Sequence, residues 1–215
     1  MAITRIITPA VNDDAVTLAK MASGTDGNII SYDASGNPVA VATGNDGQVL
    51  TSAGAGAPPT FAAAGGITEA DQWRQTADTS VSSSNFFTSN WERNDTVFDK
   101  IGTGMSQSSG IFTFPSTGIW YVSFNAMAAG AASDYVSAKI RVTSNNSTYT
   151  IRAEGYQNTV AAQDYVGMSS NVMVDVSDTS NVKVKFEGDS GNTISYKGST
   201  NVNYTWSNFI RLGNT

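Results

Sequence analysis

The sequence contains neither cysteine nor histidine. The two absences exclude disulfide bonds, thiolate and imidazole metal sites, cysteine nucleophiles and every catalytic triad that depends on histidine. Small secreted domains often rely on disulfides, so the lack of cysteine favours a bacterial or viral protein that is assembled inside the cell. No cofactor is expected.

Charged residues are also scarce, at 14% of the chain, and the net charge is −6. A chain of this charge has no basic patch with which to neutralise phosphates, so nucleic acid is not an expected partner. No apolar run approaches the ~20 residues that a membrane span needs, and the first residues lack the apolar core of a signal peptide. We therefore expect no membrane insertion, and a protein that reaches a surface by joining a particle.

Acidic side chains are the remaining candidates for metal binding and hydrolysis. Asp175-x-x-Asp178 and Glu187-x-Asp189 offer the oxygen ligands that Ca²⁺ prefers, but both pairs occupy positions where carboxylates are commonly solvated. A glycosidase uses two carboxylates that flank a substrate groove, and no pair here lies in an aromatic cleft pattern. We therefore predict no metal site, no catalytic residue and no enzymatic activity, with glycan degradation as the least favoured alternative.

The stretch from Ser108 to Ala126 carries a strong strand pattern. Its residues alternate at period two on either side of a corner formed by Pro115 and Gly118. Proline cannot donate a ladder hydrogen bond and suits a strand end, whereas glycine supplies backbone freedom at the corner. The pattern predicts a hairpin that enters the core of a sandwich through its five aromatic residues: Phe112, Phe114, Trp120, Tyr121 and Phe124.

Short strand patterns separated by turn clusters continue through the C-terminal part of the chain. From Thr68 onward we count roughly eight to ten of them at regular spacing, as a jelly roll requires. The predicted fold class is therefore all-β, with a C-terminal jelly-roll sandwich over residues 67–215.

Aromatic residues outside the central stretch are candidates for interfaces. Tyr149, Tyr156 and Tyr165 flank predicted loops with Asn and Gln, and loops on a rigid sandwich commonly carry recognition. We predict that these three tyrosines face a receptor. Trp73 and Trp91 lie in less regular contexts, where an interface between copies fits, because aromatic residues are enriched at interfaces. A sugar-stacking platform is the less favoured alternative.

The central stretch is similar to the signature of a known fold. Its pattern is Gly110-x-Phe112-x-x-Pro115-x-x-Gly118-x-x-x-Val122-x-Phe124, and FDKIGTGMSQSSG before it and Trp206–Gly213 after it also match. The pattern resembles the jelly-roll domain shared by the globular head of complement component one-q and the tumour necrosis factor superfamily. The resemblance spans about Trp73 to Gly213 and implies a homotrimer.

Residues 24–64 contain an internal repeat with a constant offset of twenty residues. Each unit predicts an Asp-Gly turn, a short apolar strand, a Gly-rich turn with proline and a second short strand. The apolar positions are kept between the copies, as in Ile29 and Val49 or Ile30 and Leu50. Such a unit cannot bury its apolar side alone, and arrays usually need about three units, so three chains side by side would supply the missing contacts.

The repeats resemble those of phage tail-fibre and virion-fibre proteins. The match is best at Asp46-Gly47-Gln48-Val49-Leu50-Thr51-Ser52, and the first copy departs from it with Asn28-Ile29-Ile30-Ser31. A flexible Gly/Ala linker is the alternative, but a linker would not keep paired apolar positions in register. We predict an elongated β-repeat stalk over residues 24–66, with Gly65-Gly66 as the hinge into the head.

Residues 1–23 predict a short helix that anchors the chain to a particle. Asn12 is a suitable cap, and Asp13, Asp14 and Lys20 complement the helix dipole. A helix this short is marginal alone, so its apolar side chains are expected to pack against other chains, the anchor residues being Ile3, Ile6, Ile7, Val11 and Leu18. A frayed tail is the alternative.

These patterns together predict a bacteriophage virion structural protein. It would form a homotrimeric fibre or spike on the tail or capsid surface and bind a host-surface receptor, either a glycan or a protein, by avidity. It would be made in the host cytoplasm and would contact other virion proteins through its N-terminal segment. The main alternative is a capsid decoration protein that stabilises the capsid.

Overall fold

A computed structural model describes residues 23–161 and 164–215. The regular structure of these residues consists of β-strands, and no helix is formed within the two ranges. Accordingly, the described residues contain no helix that is long and apolar enough to cross a membrane. The predicted anchor helix and its residues Ile3, Ile6, Ile7, Val11 and Leu18 lie outside the described part of the chain.

The chain divides into two compact units, of which one ends at Gly65 and the other spans Gly66–Thr215. The first unit contains two antiparallel hairpins, one from each sequence repeat. Their strands are β1 (Ile29–Tyr32), β2 (Pro38–Val41), β3 (Gln48–Thr51) and β4 (Thr60–Ala63).

The repeat hairpins leave apolar side chains in solvent. The side chains at one pair of equivalent positions, Ile30 and Leu50, are 56% and 47% exposed. The turn of the first hairpin is held by polar contacts instead, because Asp33 Oδ1 accepts the backbone N–H groups of Ser35 and Asn37, both at 2.9 Å. Hydrogen bonds from the backbone and side chain of Asn37 lower the pKa of Asp33.

The second unit contains the remaining strands, which are short before β12 and, apart from β17, long from β12 onward. They are β5 (Ala70–Gln75), β6 (Thr79–Val81), β7 (Asn85–Phe86), β8 (Trp91–Arg93), β9 (Lys100–Ile101), β10 (Ser106–Ser108), β11 (Ile111–Thr113), β12 (Gly118–Gly130), β13 (Ser133–Thr143), β14 (Thr150–Thr159), β15 (Asp164–Val176), β16 (Lys183–Ser190), β17 (Ile194–Tyr196) and β18 (Trp206–Gly213).

These strands form two antiparallel sheets that enclose one core. Sheet I has the order β10-β11-β16-β13-β14, with β7 also paired to β16. Sheet II has the order β6-β17-β12-β18-β5-β8, with β15 paired to the free side of β12 and β9 paired to β5. The all-β sandwich expected from the strand spacing is confirmed.

The central stretch does not form the predicted hairpin. β11 pairs with β10 and β16 in sheet I, whereas β12 pairs with β15, β17 and β18 in sheet II. The corner at Pro115 to Gly118 therefore carries the chain from one sheet to the other. Gly118 has φ +138°, and a Cβ there would lie 2.4 Å from the carbonyl oxygen of Gly213. Period-two alternation marks both strands but does not report which strand each one pairs with.

Phe112 lies at the centre of the aromatic core and is fully buried. Its ring centroid lies 5.1 Å from that of Trp91, 5.2 Å from Phe209, 5.3 Å from Phe186 and 5.6 Å from Trp73. Phe186 belongs to sheet I and the other three belong to sheet II, so this one ring joins the two sheets. Trp73 and Trp91, for which the sequence favoured an interface between copies, are packed against this core instead.

Four of the five aromatic residues of the central stretch are buried, namely Phe112, Phe114, Trp120 and Phe124. The fifth, Tyr121, is only half-buried, because it alternates with Trp120 and Val122 along β12 and therefore points to the opposite side of sheet II.

We expect Phe112→Ala to lower the free energy of unfolding by about 3–5 kcal/mol, because it removes a fully buried ring and leaves a cavity between the sheets. Urea unfolding followed by tryptophan fluorescence measures the change. Val97→Ala is the control, since Val97 is 88% exposed and its truncation is expected to cost about 0.5 kcal/mol or less. Equal losses in the two variants would contradict a core centred on Phe112.

Candidate functional site: the outward faces of the two sheets

The three tyrosines predicted to face a receptor do not form one surface. Tyr149 precedes β14, Tyr156 lies within β14 of sheet I, and Tyr165 lies within β15 of sheet II. The expectation of a loop-flanking position is therefore wrong for Tyr156, whereas Tyr165 is the second residue of β15 and lies at the end of its strand. The polar residues around Tyr156 belong to an edge strand, whose solvated side has the composition of a loop.

The tyrosines also differ in exposure. Tyr156 and Tyr165 are 57% and 66% exposed, whereas Tyr149 is half-buried with Lys185 Nζ 4.4 Å from its ring centroid. Burial raises the pKa of Tyr149. A hydrogen bond with the Glu154 side chain raises the pKa of Tyr156. Of the three tyrosines, Tyr156 is thus the exposed one on the outward face of sheet I.

A buried lysine organises the outward face of sheet I. Lys139 Nζ lies 2.7 Å from Asp189 Oδ2, 3.0 Å from Glu154 Oε1 and 3.6 Å from Glu187 Oε1, and its side chain is 8% exposed. The arrangement follows from register, since Lys139 pairs with Glu154 of β14 and with Glu187 of β16. Arg141, two residues further along β13, also pairs with Glu187.

The ion pairs outweigh the cost of burying Lys139. Burial alone would lower the pKa of the ammonium group, but hydrogen bonds to Asp189 and Glu154 raise it above its ordinary value. Glu187 and Asp189, which were weighed as calcium ligands, are therefore occupied by Lys139 and Arg141. No group of three or more acidic residues is arranged to hold a metal ion within the described part of the chain.

We expect Lys139→Met to lower the free energy of unfolding by about 3–5 kcal/mol, because it leaves buried carboxylates without their cation. Since the folded-state pKa of Lys139 is raised, its contribution is complete below about pH 10 and is lost only as pH rises through the raised value. Urea unfolding at pH 7 and pH 9 should therefore give the same loss.

The control for this experiment is Lys183→Met on β16, because Lys183 forms no ion pair with the described residues. Its loss is expected to be within about 0.5 kcal/mol. If Lys139→Met were as mild as the control, the network would not stabilise sheet I.

The outward face of sheet II is different in character. Its side chains follow the register of β18, β12 and β15, which places residues in cross-strand rows. The first row is apolar, the second is polar and the third is mixed: Ile210–Tyr121–Met173, Asn208–Ser123–Asn171 and Trp206–Asn125–Ser169. Met173 is 61% exposed, and Tyr165 on the same strand is 66% exposed. This face presents apolar side chains where sheet I presents ion pairs.

A network of carboxamides extends the polar row of sheet II toward β5. Gln72 Nε2 donates to Asn208 Oδ1 at 2.7 Å, and Asn208 Nδ2 donates to Ser123 Oγ at 3.2 Å. Gln72 Oε1 accepts from Asn203 Nδ2 at 2.8 Å and also from Asn94 Nδ2. The network holds four separate segments of the chain together on one face.

Beside this network lies a cleft of about 550 Å³. Its floor contains Arg74, which is only 3% exposed and pairs with Glu92 through Nε at 3.2 Å. Its rim carries exposed Val97, Phe98 and Val202. A concave site that combines apolar side chains with a few fixed polar groups is a usual form for a small-ligand site.

Sequence reasoning missed both polar clusters. Lys139-x-Arg141 and Glu187-x-Asp189 carry opposite charges at strand spacing, and this was a usable signal once both segments were predicted as strands. The carboxamide network had no such signal, because Gln72, Asn94 and Asn203 are far apart in the chain and Asn and Gln are common throughout it.

No family model matches the chain, and no curated protein matches it. Several solved structures do match the chain. Eiger TNF from S. frugiperda superposes with a TM-score of 0.56 at 11% identity, covering 69% of this chain and 95% of that chain. Murine APRIL at pH 5.0 superposes with a TM-score of 0.51 at 11% identity, covering 67% of this chain and 98% of that chain.

The globular domain of zebrafish complement 1qA protein gives a TM-score of 0.45 at 13% identity, with 68% and 99% coverage, which is too low to bear on the fold. The other two structures confirm that the fold is a jelly-roll sandwich of the TNF type. At 11% identity the likeness shows the fold alone.

Proposed function

We propose that this protein is a virion structural protein of a bacteriophage. Three copies form a fibre or spike on the particle surface, and their jelly-roll units bind a glycan or protein of the host surface. The single observation that carries the proposal is the apolar row Ile210–Tyr121–Met173 on the outward face of sheet II.

The apolar row supports self-association because monomeric proteins rarely expose contiguous apolar patches unless these are functional. Met173 lies within a strand that pairs with β12 along its full length, so the row is a rigid surface. Sheet I is the less suitable interface, since its outward face holds the ion pairs of Lys139. A second or third copy of the chain is the occupant that the sequence resemblance implies.

The repeat hairpins support the same assembly. Ile30 and Leu50 occupy equivalent positions in the two repeats and are both exposed in the single chain. Chains that run side by side would bury these side chains against each other, as stacked repeats do. Once one of three jelly-roll units on a stalk has bound a host surface, the effective concentration of the other two at that surface would be raised without any new contact.

Tyr156 remains a candidate receptor contact, because it is 57% exposed on the sheet that is left free. Tyr165 lies on the sheet proposed for self-association, and Tyr149 is half-buried beside Lys185. Host attachment would be non-enzymatic, and no catalytic residue is proposed.

We expect Met173→Asp to convert the trimer into single chains, because the new carboxylate would be buried without a partner at the interface. Light scattering at micromolar concentration should give three times the chain mass for the unchanged protein and one chain mass for the variant. Tyr156→Asp is the matched control, since it adds the same charge to the outward face of sheet I and should leave the trimer intact. A single-chain mass for the unchanged protein would refute the assembly.

We expect deletion of residues 1–23 to abolish incorporation into particles while the jelly-roll unit stays folded, because the proposed anchor residues lie there. Electron microscopy with a gold-labelled antibody against the jelly-roll unit detects incorporation.

On particles that carry the full chain, label on the tail would support host attachment, and label spread over the capsid would favour the capsid decoration alternative. Incorporation of the shortened chain would show that the anchor assignment is wrong.

A further inference from the structure

We infer that the cleft beside β5 binds a neutral sugar. The inference rests on the proposed function, in which the jelly-roll unit recognises a host surface, and it names the site and the chemical class of the ligand. The walls of the cleft come from two loops, one that follows β8 and includes Val97 and Phe98, and one that precedes β18 and includes Val202 and Asn203.

The charge of the cleft selects against ions. Arg74, the one cationic side chain among the described residues that line it, is 3% exposed and is paired with Glu92 at 3.2 Å. Arg74 Nη1 also donates to Asn94 Oδ1 at 3.3 Å. Because the guanidinium is neutralised and held in place, an anion would gain no unpaired positive charge by entering the cleft, and a neutral ligand would meet no desolvated charge.

The carboxamides offer hydrogen bonds that the protein itself leaves unused. Each carboxamide nitrogen carries two N–H groups, and Gln72, Asn94 and Asn203 each donate one of them within the network. Asn203 Oδ1 is buried and accepts no hydrogen bond from the described residues. Unused donors beside an unused acceptor suit hydroxyl groups, which donate and accept at the same time.

The rim supplies the apolar half of sugar recognition. Val97 is 88% exposed, Val202 is 47% exposed and Phe98 is 40% exposed. An aromatic ring and two branched aliphatic side chains beside a polar floor match the two sides of a pyranose, which presents C–H groups on its faces and hydroxyls around its edge. Asn201 and Val202, which precede Asn203 in the same loop, are exposed. Asn203 Oδ1 is buried in the single chain, so a sugar hydroxyl would reach it only after a shift of this loop.

The experiment uses the full chain labelled with ¹⁵N and follows the side-chain amide resonances of asparagine and glutamine. The probes are glucose, galactose, N-acetylglucosamine and rhamnose, with glucuronic acid as the charged comparison. We expect at least one neutral sugar to shift the amide resonances of Gln72, Asn94 and Asn203, and glucuronic acid to shift them less.

Two variants and one control locate the binding. Asn203→Leu and Phe98→Ala should each weaken the affinity for that sugar by about tenfold or more, since they remove the acceptor and the ring surface. Asn158→Leu, an exposed carboxamide of β14, should leave the affinity unchanged. Proton spectra of each variant confirm that it is folded.

Binding of the same proteins to cells of the phage host separates the two levels of the proposal. Loss of cell binding in Asn203→Leu and Phe98→Ala would support both the sugar site in the cleft and the attachment of the protein to host cells. Unchanged cell binding in these variants, or no sugar-induced shift at the cleft amides, would overturn the cleft assignment and leave host attachment standing. If the protein binds a sugar in the cleft but does not bind cells, the cleft assignment would stand and the proposed host attachment would be wrong.

Discussion

The packing of aromatic rings around Phe112 is the interaction on which the rest of the structure depends. Phe112 reaches across from sheet I to Trp73, Trp91 and Phe209 of sheet II, with ring centroids 5.1–5.6 Å apart. Edge-to-face and stacked pairs of this kind add specificity to the burial of a large apolar area. Because the chain has no disulfide, this packing has to hold the two sheets in register, and every outward-facing side chain takes its position from it.

Once the sheets are fixed, the outward faces diverge in chemistry. Sheet I carries charges that neutralise each other around Lys139, whose side chain is 8% exposed, so these charged groups need no second copy of the chain as a partner. Sheet II carries the row Ile210–Tyr121–Met173 and the carboxamides beside β5, and both offer contacts that a single chain leaves unused. This asymmetry is why we assign self-association and sugar recognition to the outward side of sheet II, the first across β18, β12 and β15 and the second beside β5.

Strand composition and core membership could be predicted from the sequence, because alternation along a strand is a local property. Phe112, Phe114, Trp120 and Phe124 were expected in the core and lie there. Strand pairing could not be predicted from the sequence. A corner after Pro115 can turn back within one sheet or cross to the other sheet with the same residues. The location of Tyr156 and the cleft beside β5 were missed for a related reason: an edge strand resembles a loop in composition, and a site built from distant Asn and Gln residues leaves no local pattern.

The most direct test of the proposed assembly is a cryo-electron microscopy reconstruction of the full chain. We expect three copies around one axis, with β12, β15 and β18 facing that axis, Met173 buried between copies and the Lys139 side of each sandwich facing solvent. A single copy, or an assembly in which sheet I forms the contact, would contradict the assignment of the two faces and with it the proposed fibre.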